Sequence, residues 1–292
     1  MNLDDFGMDT ITLAGPLEAK LRAIKAGGFA QVMLNATDVV GHPEGEAAAI
    51  AAVRTSGLRV TGFQVLRDFE GLSGHLHAYK VDIAKSMLEM CRALGSRTLL
   101  ACSSTSAHAT GETEVLKKDL QKLATLAVPL GIRVAYEALS WGRHVNLLSQ
   151  AWEIVQDADR SNLGLCIDSY HAIANGGEIR AAKEIDPEKV FLVQLSDFLW
   201  QETRSPQDRM ETARHYRVYP GEGVHSDQVF ELVRILDAAG YRGDYSFEVF
   251  NDDYRQIPLA MVTERARRSV KEIAARIGRR TLPQHRRVGQ AG

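Results

Sequence analysis

The sequence offers little that could brace the chain from outside its own core. Three cysteines in 292 residues (Cys91, Cys102 and Cys166) are odd in number and scattered. That excludes a disulfide framework and a CxxC metal site. No apolar run approaches the ~18 residues of a membrane span. The N-terminus carries Asp4 and Asp5 where a signal peptide needs Lys or Arg before an apolar stretch. Charge of one sign is also missing: 35 Lys+Arg face 37 Asp+Glu, a formal net charge of −2. So balanced a chain has no global pull toward nucleic acid or an anionic membrane. Neither GxGxxG nor GxxxxGK[ST] occurs, which removes the usual phosphate-binding loops. The expectation is a cytoplasmic chain without nucleic-acid or membrane partners. Assembly into a homo-oligomer is compatible with this composition and is not specified by it.

What is present is a regular alternation. Hydrophobic residues make up 45% and charged residues 25%, enough for a large core. Short β-rich runs fall at Thr10–Leu13, Gln31–Leu34, Leu58–Val65, Arg97–Ala101, Arg133–Leu139, Leu163–Ile167, Val190–Leu195 and Asp244–Phe250. Several are almost wholly apolar, as parallel strands covered on both faces are. Segments of helical spacing separate them, such as Leu116, Leu120, Leu123, Ala127 and Leu130. Glycines (Gly95, Gly131, Gly240) close the helical segments, and Ser226 is placed to cap one. Eight such units predict a (β/α)8 TIM barrel, which takes about 250 residues, over an open doubly wound sheet. A single catalytic domain is expected over residues 1–278, with a basic tail over 279–292. Phe198 to Val224 reads as a long functional loop after the seventh strand.

In such a barrel the chemistry sits where strands end. Strand five ends in Glu137, strand six in Asp168 followed by His171, strand seven carries Gln194 and Asp197, and strand eight ends in Glu248. Carboxylates brought together repel one another unless a cation neutralises them. Glu137, Asp168, Gln194 and Glu248 are therefore the expected ligands of a divalent metal, Mg²⁺, Mn²⁺ or Co²⁺, and His171 can add a nitrogen. Arg67, Arg143, His144, Arg214, His215 and Arg217 gather on the same face. An arginine fork matches a carboxylate or phosphate, so the cluster points to a small acidic substrate.

Five segments carry a family likeness: Tyr136-Glu137-Ala138-Leu139-Ser140-Trp141-Gly142-Arg143-His144, Ile167-Asp168-Ser169-Tyr170-His171, Gln194-Leu195-Ser196-Asp197, Arg214-His215-Tyr216-Arg217-Val218-Tyr219-Pro220-Gly221 and Phe247-Glu248-Val249-Phe250-Asn251. With Arg67-Asp68-Phe69-Glu70-Gly71, they resemble bacterial 3-dehydroshikimate dehydratases, of the xylose-isomerase-like TIM-barrel superfamily of sugar-phosphate isomerases and epimerases. The resemblance implies a divalent metal on Glu137, Asp168, Gln194 and Glu248. It implies His171 as general base, with Glu137 also at the reacting centre. It places Arg67, Arg217, His144 and His215 at a cyclic acidic substrate, 3-dehydroshikimate, which loses water to give protocatechuate. Two stretches depart from the pattern, Ala213 where members carry serine, and Met33–Asp38 after the second strand. Some members carry a C-terminal dioxygenase-like domain, for which this chain is too short. A keto-sugar isomerase or epimerase using the same metal is the alternative. A three-zinc endonuclease would need more histidines at the strand ends, and a non-catalytic barrel would have no use for the ligand set.

Overall fold

A computed structural model describes residues 1–278, so the expected basic tail lies outside the described residues. The strands, in chain order, are β1 (Phe6–Asp9), β2 (Gln31–Asn35), β3 (Arg59–Arg67), β4 (Thr98–Cys102), β5 (Arg133–Glu137), β6 (Leu163–Asp168), β7 (Val190–Leu195), β8 (Asp197–Phe198), β9 (Arg217–Val218) and β10 (Tyr245–Phe247). Eight of them close into a parallel barrel in the order β1-β10-β7-β6-β5-β4-β3-β2, while β8 and β9 pair apart from it. The (β/α)8 expectation is met. β6 and β7 are buried along their whole length, which is why they read as unbroken apolar runs. The helices turn one stripe inward. Thr113–Ala127 buries Leu116, Leu120, Leu123, Ala124 and Ala127, and Leu259–Ile277 buries Val262, Ala266, Val270 and Ile273. Gly95, at φ 77°, ends the helix Gly74–Leu94 in the left-handed region that a side chain would resist. Among the described residues no helix is long and apolar enough to cross a membrane.

Three sequence expectations are corrected. The first strand is Phe6–Asp9, and the predicted Thr10–Leu13 run is mostly a 3-10 turn, Thr10–Thr12. Phe6 and Met8 register with Tyr245 and Phe247, and their core contacts outweigh the β-propensity of the Thr-Ile-Thr run. Thr12 instead stitches the turn to the last strand, donating to the Phe247 carbonyl at 3.1 Å and accepting the Val249 N–H at 3.1 Å. The shift puts Asp9 at a strand end. Ser226 is the first residue inside its helix rather than the cap, and its hydroxyl donates to Asp197 Oδ2 at 2.5 Å. The segment Phe198 to Val224 is not a loop throughout. Ser205 and Asp208 form a capping box that starts the helix Pro206–His215, which leads directly into β9. β8 and β9 then form an antiparallel ribbon pairing Phe198 with Arg217.

Candidate metal centre and active site

Glu137 and Asp168 are the last residues of β5 and β6, so both carboxylates sit at the C-terminal mouth of the barrel. Asp168 also caps the short helix Ser169–Ala174, accepting the Tyr170 N–H at 2.7 Å. One turn of that helix carries His171 back over the cap. Its Nε2 lies 3.7 Å from Asp168 Oδ2 and 3.9 Å from Glu137 Oε1. One ligand atom from each of Glu137, Asp168 and His171 falls within 4.8 Å of the others, and all three residues are buried. Glu137 Oε2 takes the Cys102 S–H at 2.8 Å, but Oε1 is buried with no hydrogen-bond partner. A buried carboxylate oxygen without a donor is costly. Two carboxylates and an imidazole around such an oxygen are a donor set that a divalent cation fits.

A protein cation shares the neutralising role that the sequence reading gave to metal alone. Arg217 is 2% exposed and spends its guanidinium on the strand ends. Its Nη1 donates to Asp168 Oδ2 at 2.6 Å, Glu248 Oε2 at 3.1 Å and Ser196 Oγ at 3.2 Å, while Nε donates to the Ala213 carbonyl at 3.0 Å. The ring of Tyr170 lies under it, 4.6 Å from the guanidinium carbon. The sequence reading placed Arg217 on the substrate, whereas here it is seated among the acids.

The electrostatics follow from these partners. Burial works against ionised Asp168, but Arg217 and then His171 outweigh it and hold its pKa below the ordinary value. Glu137 lacks a direct cation, so burial and the Asp168 charge push it up to about 7. Burial drives Glu248 well above the usual carboxylate range despite Arg217. Burial also lowers His171 to about 3, helped by the nearby guanidinium, so its imidazole is neutral near pH 7. The ring is held edge-on against Trp141 and Tyr170, at centroid distances of 4.9 and 5.3 Å.

Gln194, on β7, pairs in register with Asp168 and Ser246. Its Nε2 donates to Asp9 Oδ2 at 2.8 Å, and its Oε1 accepts the Cys166 S–H at 3.2 Å. Asp9 is fully buried and also receives Gln64 Nε2 at 3.1 Å and the Ser246 hydroxyl. Burial pushes Asp9 up to about 7 against those hydrogen bonds. Asp197 lies off the cluster, accepting the N–H groups of Phe198 and His225 at 2.6 and 3.1 Å.

The basic residues divide. Arg67 ends β3 exposed, and its charge reaches both Glu137 and Cys102. His144 is exposed, its Nε2 2.9 Å from the Ala109 carbonyl in the loop before the helix Thr113–Ala127. His215 points to Asp252 at 2.9 Å and, with Arg214, lines an open surface cavity of about 420 Å³. Arg143 is exposed, its backbone N–H bound to the Ser104 carbonyl at 2.8 Å. Sequence reasoning missed Asp9, hidden by the misplaced first strand, and the two thiols, read only for a disulfide framework and a CxxC metal site. It also missed Ser140, whose hydroxyl lies 3.1 Å from His171 Nδ1.

Residues 21–275 match the family described as xylose isomerase-like TIM barrel. The chain belongs to that family. Within the xylose isomerase-like barrels it is 38% identical over 253 residues to a 3-dehydroshikimate dehydratase of Pseudomonas aeruginosa, and 36% identical over 252 to that of Pseudomonas putida. Both alignments take in 85% of this chain but 38% of the relative, so the chain spans about two fifths of their length. An inosose isomerase of Bacillus subtilis is 26% identical over 203 residues, 66% of this chain and 68% of that protein. Among solved structures, a xylose isomerase-like TIM barrel/4-hydroxyphenylpyruvate dioxygenase fusion protein superposes with a TM-score of 0.87 and 32% identity. That superposition covers 94% of this chain and 43% of the fusion.

Proposed function

We propose that the chain is a metal-dependent hydro-lyase that converts 3-dehydroshikimate to protocatechuate and water. The carrying observation is the unpartnered, buried Oε1 of Glu137, set within ligand distance of Asp168 and His171 at the barrel mouth. The likeness to relatives named 3-dehydroshikimate dehydratase supports the choice of substrate. In this reading Glu137, Asp168, Gln194 and Glu248 hold Mg²⁺, Mn²⁺ or Co²⁺. A divalent cation there supplies Lewis-acid polarisation of a ketone oxygen.

The remaining tasks fall to the chain's own residues. His171 takes the activated C–H proton on its imidazole. The Ser140 backbone N–H donates to Nδ1 at 3.2 Å and the Ser140 hydroxyl lies 3.1 Å from the same nitrogen, which fixes the ring, while the Arg217 guanidinium lies 3.4 Å from Nε2. The depressed pKa keeps the imidazole neutral, and so able to take a proton, at neutral pH. Arg217 holds Asp168 ionised and fixes both Asp168 and Glu248 in place. Arg67, exposed at the rim with its charge felt at Glu137, binds the substrate carboxylate. His144 and His215 each have one ring nitrogen engaged, by the Ala109 carbonyl and the Asp252 carboxylate.

The likeness to inosose isomerase favours one second reading, isomerisation of a cyclic keto-polyol through the same proton abstraction. One experiment separates the two. Protein loaded with Mn²⁺ or Co²⁺ is given 3-dehydroshikimate and the absorbance of protocatechuate is followed. Product formation supports the dehydratase. No product, with turnover of an inosose instead, overturns it.

A further inference from the structure

We propose that Asp9 is a positioning residue, which decides that Gln194 turns its carbonyl oxygen, and not its NH2 group, toward the metal site. The proposal rests on the reading of Gln194 as a ligand. A primary amide has two ends of similar size and opposite use. Its oxygen can coordinate a cation, whereas its NH2 group only donates hydrogen bonds. Something in the fold must choose between them.

The neighbours of Gln194 make that choice from one side. Nε2 donates to Asp9 Oδ2 at 2.8 Å and lies 3.4 Å from Gln64 Oε1, with the Met33 thioether at 3.8 Å. Gln64 turns its own Nε2 to the same Asp9 oxygen at 3.1 Å, and the Ser246 hydroxyl donates to the other. Asp9, Gln64, Gln194 and Ser246 are all at most 2% exposed, so water offers no alternative partners. Asp9 Oδ2 takes both amide N–H groups, so it is the acceptor at this end of Gln194. A flipped Gln194 would set its oxygen against Asp9 Oδ2 and its NH2 where Oε1 now is. On that other side, among the described residues, Oε1 accepts a hydrogen bond only from the Cys166 thiol at 3.2 Å, a weak donor. The thiol can yield the oxygen to a cation with little loss. Asp9 touches none of the metal-ligating atoms and acts through Gln194.

The test uses Co²⁺, whose visible absorption reports the ligand geometry, alongside its binding affinity. Asp9→Asn preserves shape but offers both a donor and an acceptor, so the amide is no longer sorted. Its Co²⁺ affinity is expected to fall 10–100-fold, the usual cost of losing such a supporting contact, with an altered spectrum. Asp9→Asn combined with Gln194→Glu moves the carboxylate to the other end of the same hydrogen bond. A glutamate ligand has two equivalent oxygens and needs no sorting, so most of the affinity should return.

Unchanged Co²⁺ binding in Asp9→Asn overturns the proposal, as does a double variant no better than the single one. Should Asp9→Asn fail to fold, the double variant decides alone: tight binding upholds the proposal and weak binding overturns it. Gln194→Ala keeps the two readings apart. If it binds Co²⁺ as tightly as the wild type, Gln194 is no ligand and the assigned ligand set fails first. If Gln194→Ala weakens binding while Asp9→Asn does not, the ligand set stands and the positioning role falls.

Discussion

Buried acids in the two halves of the barrel mouth are held by different means. In the second half Asp168 meets a guanidinium at 2.6 Å and its pKa falls. In the first half Asp9 and Glu70 meet only neutral donors. Asp9 has Ser246 and two glutamines, and Glu70 has the Ser104 N–H at 2.5 Å and the Tyr136 hydroxyl at 3.0 Å. Both are pushed up to about 7, chiefly by burial. Hydrogen bonds from neutral groups orient a buried carboxyl without compensating its lost hydration, whereas the guanidinium does both for Asp168, though not for Glu248, whose pKa stays raised. The second half thus supplies charge for chemistry, and the first half supplies geometry.

The largest effect should come from deleting the cation. Arg217→Met leaves Asp168 and Glu248 buried beside an apolar group, at a cost of about 3–5 kcal/mol in urea unfolding. Added Mn²⁺ should restore part of that stability. A loss under about 1 kcal/mol would mean that the guanidinium contributes no more than a surface pair and that the contrast is false.

Glu70 sharpens the other side of the comparison. A native pKa raised from 4.5 to about 7 means that the folded state holds this proton more tightly than the unfolded chain. Its contribution is fully present below pH 4.5 and lost as pH rises through about 7. Glu70→Gln keeps both acceptor contacts and cannot ionise. It should therefore be the more stable protein above pH 7, by on the order of 3 kcal/mol. Urea midpoints of the two proteins across this range give the difference directly. Parallel curves would show that Glu70 is ionised at no cost.

Two substitutions compare chemistry with recognition. His171→Asn should lower kcat by about 10² or more, the worth of a positioned base, while the melting temperature changes little. An unaltered kcat would leave His171 a ligand or a packing residue. Arg67→Ala, at the exposed rim, removes a charge-assisted contact remote from the bonds that change. KM should rise more than kcat falls, with a loss of about 1.5–3 kcal/mol in kcat/KM. A methyl ester of the substrate reacting as fast as the acid would exclude this role.

The barrel was legible because its strands and helices announce themselves by period, and because carboxyl groups at the ends of apolar runs stand out. Glu137 and Asp168 were found in this way, and the turn Ser169-Tyr170-His171 sets His171 beside them. Asp9 was not found, since Phe6-Gly7-Met8 has no β-branched residue and only registration against Tyr245 and Phe247 makes it a strand. The partner of Arg217 was illegible for another reason. Arg217 follows Asp168 by 49 positions in sequence, and the segment between reads as an irregular loop until the capping box at Ser205 and the ribbon are seen.

That ribbon bears on local opening. β8 and β9 are two residues long, and so short a pair normally frays and exchanges its amide protons quickly. Here the Arg217 N–H is bonded to the Phe250 carbonyl at 3.0 Å, and the same residue's side chain is clamped by two buried acids. Lifting the ribbon requires drawing a guanidinium away from both acids, so its protection against exchange is set by the ion pairs inside the barrel rather than by its own few hydrogen bonds. A stretch of backbone at the rim thereby inherits the slow breathing of the core.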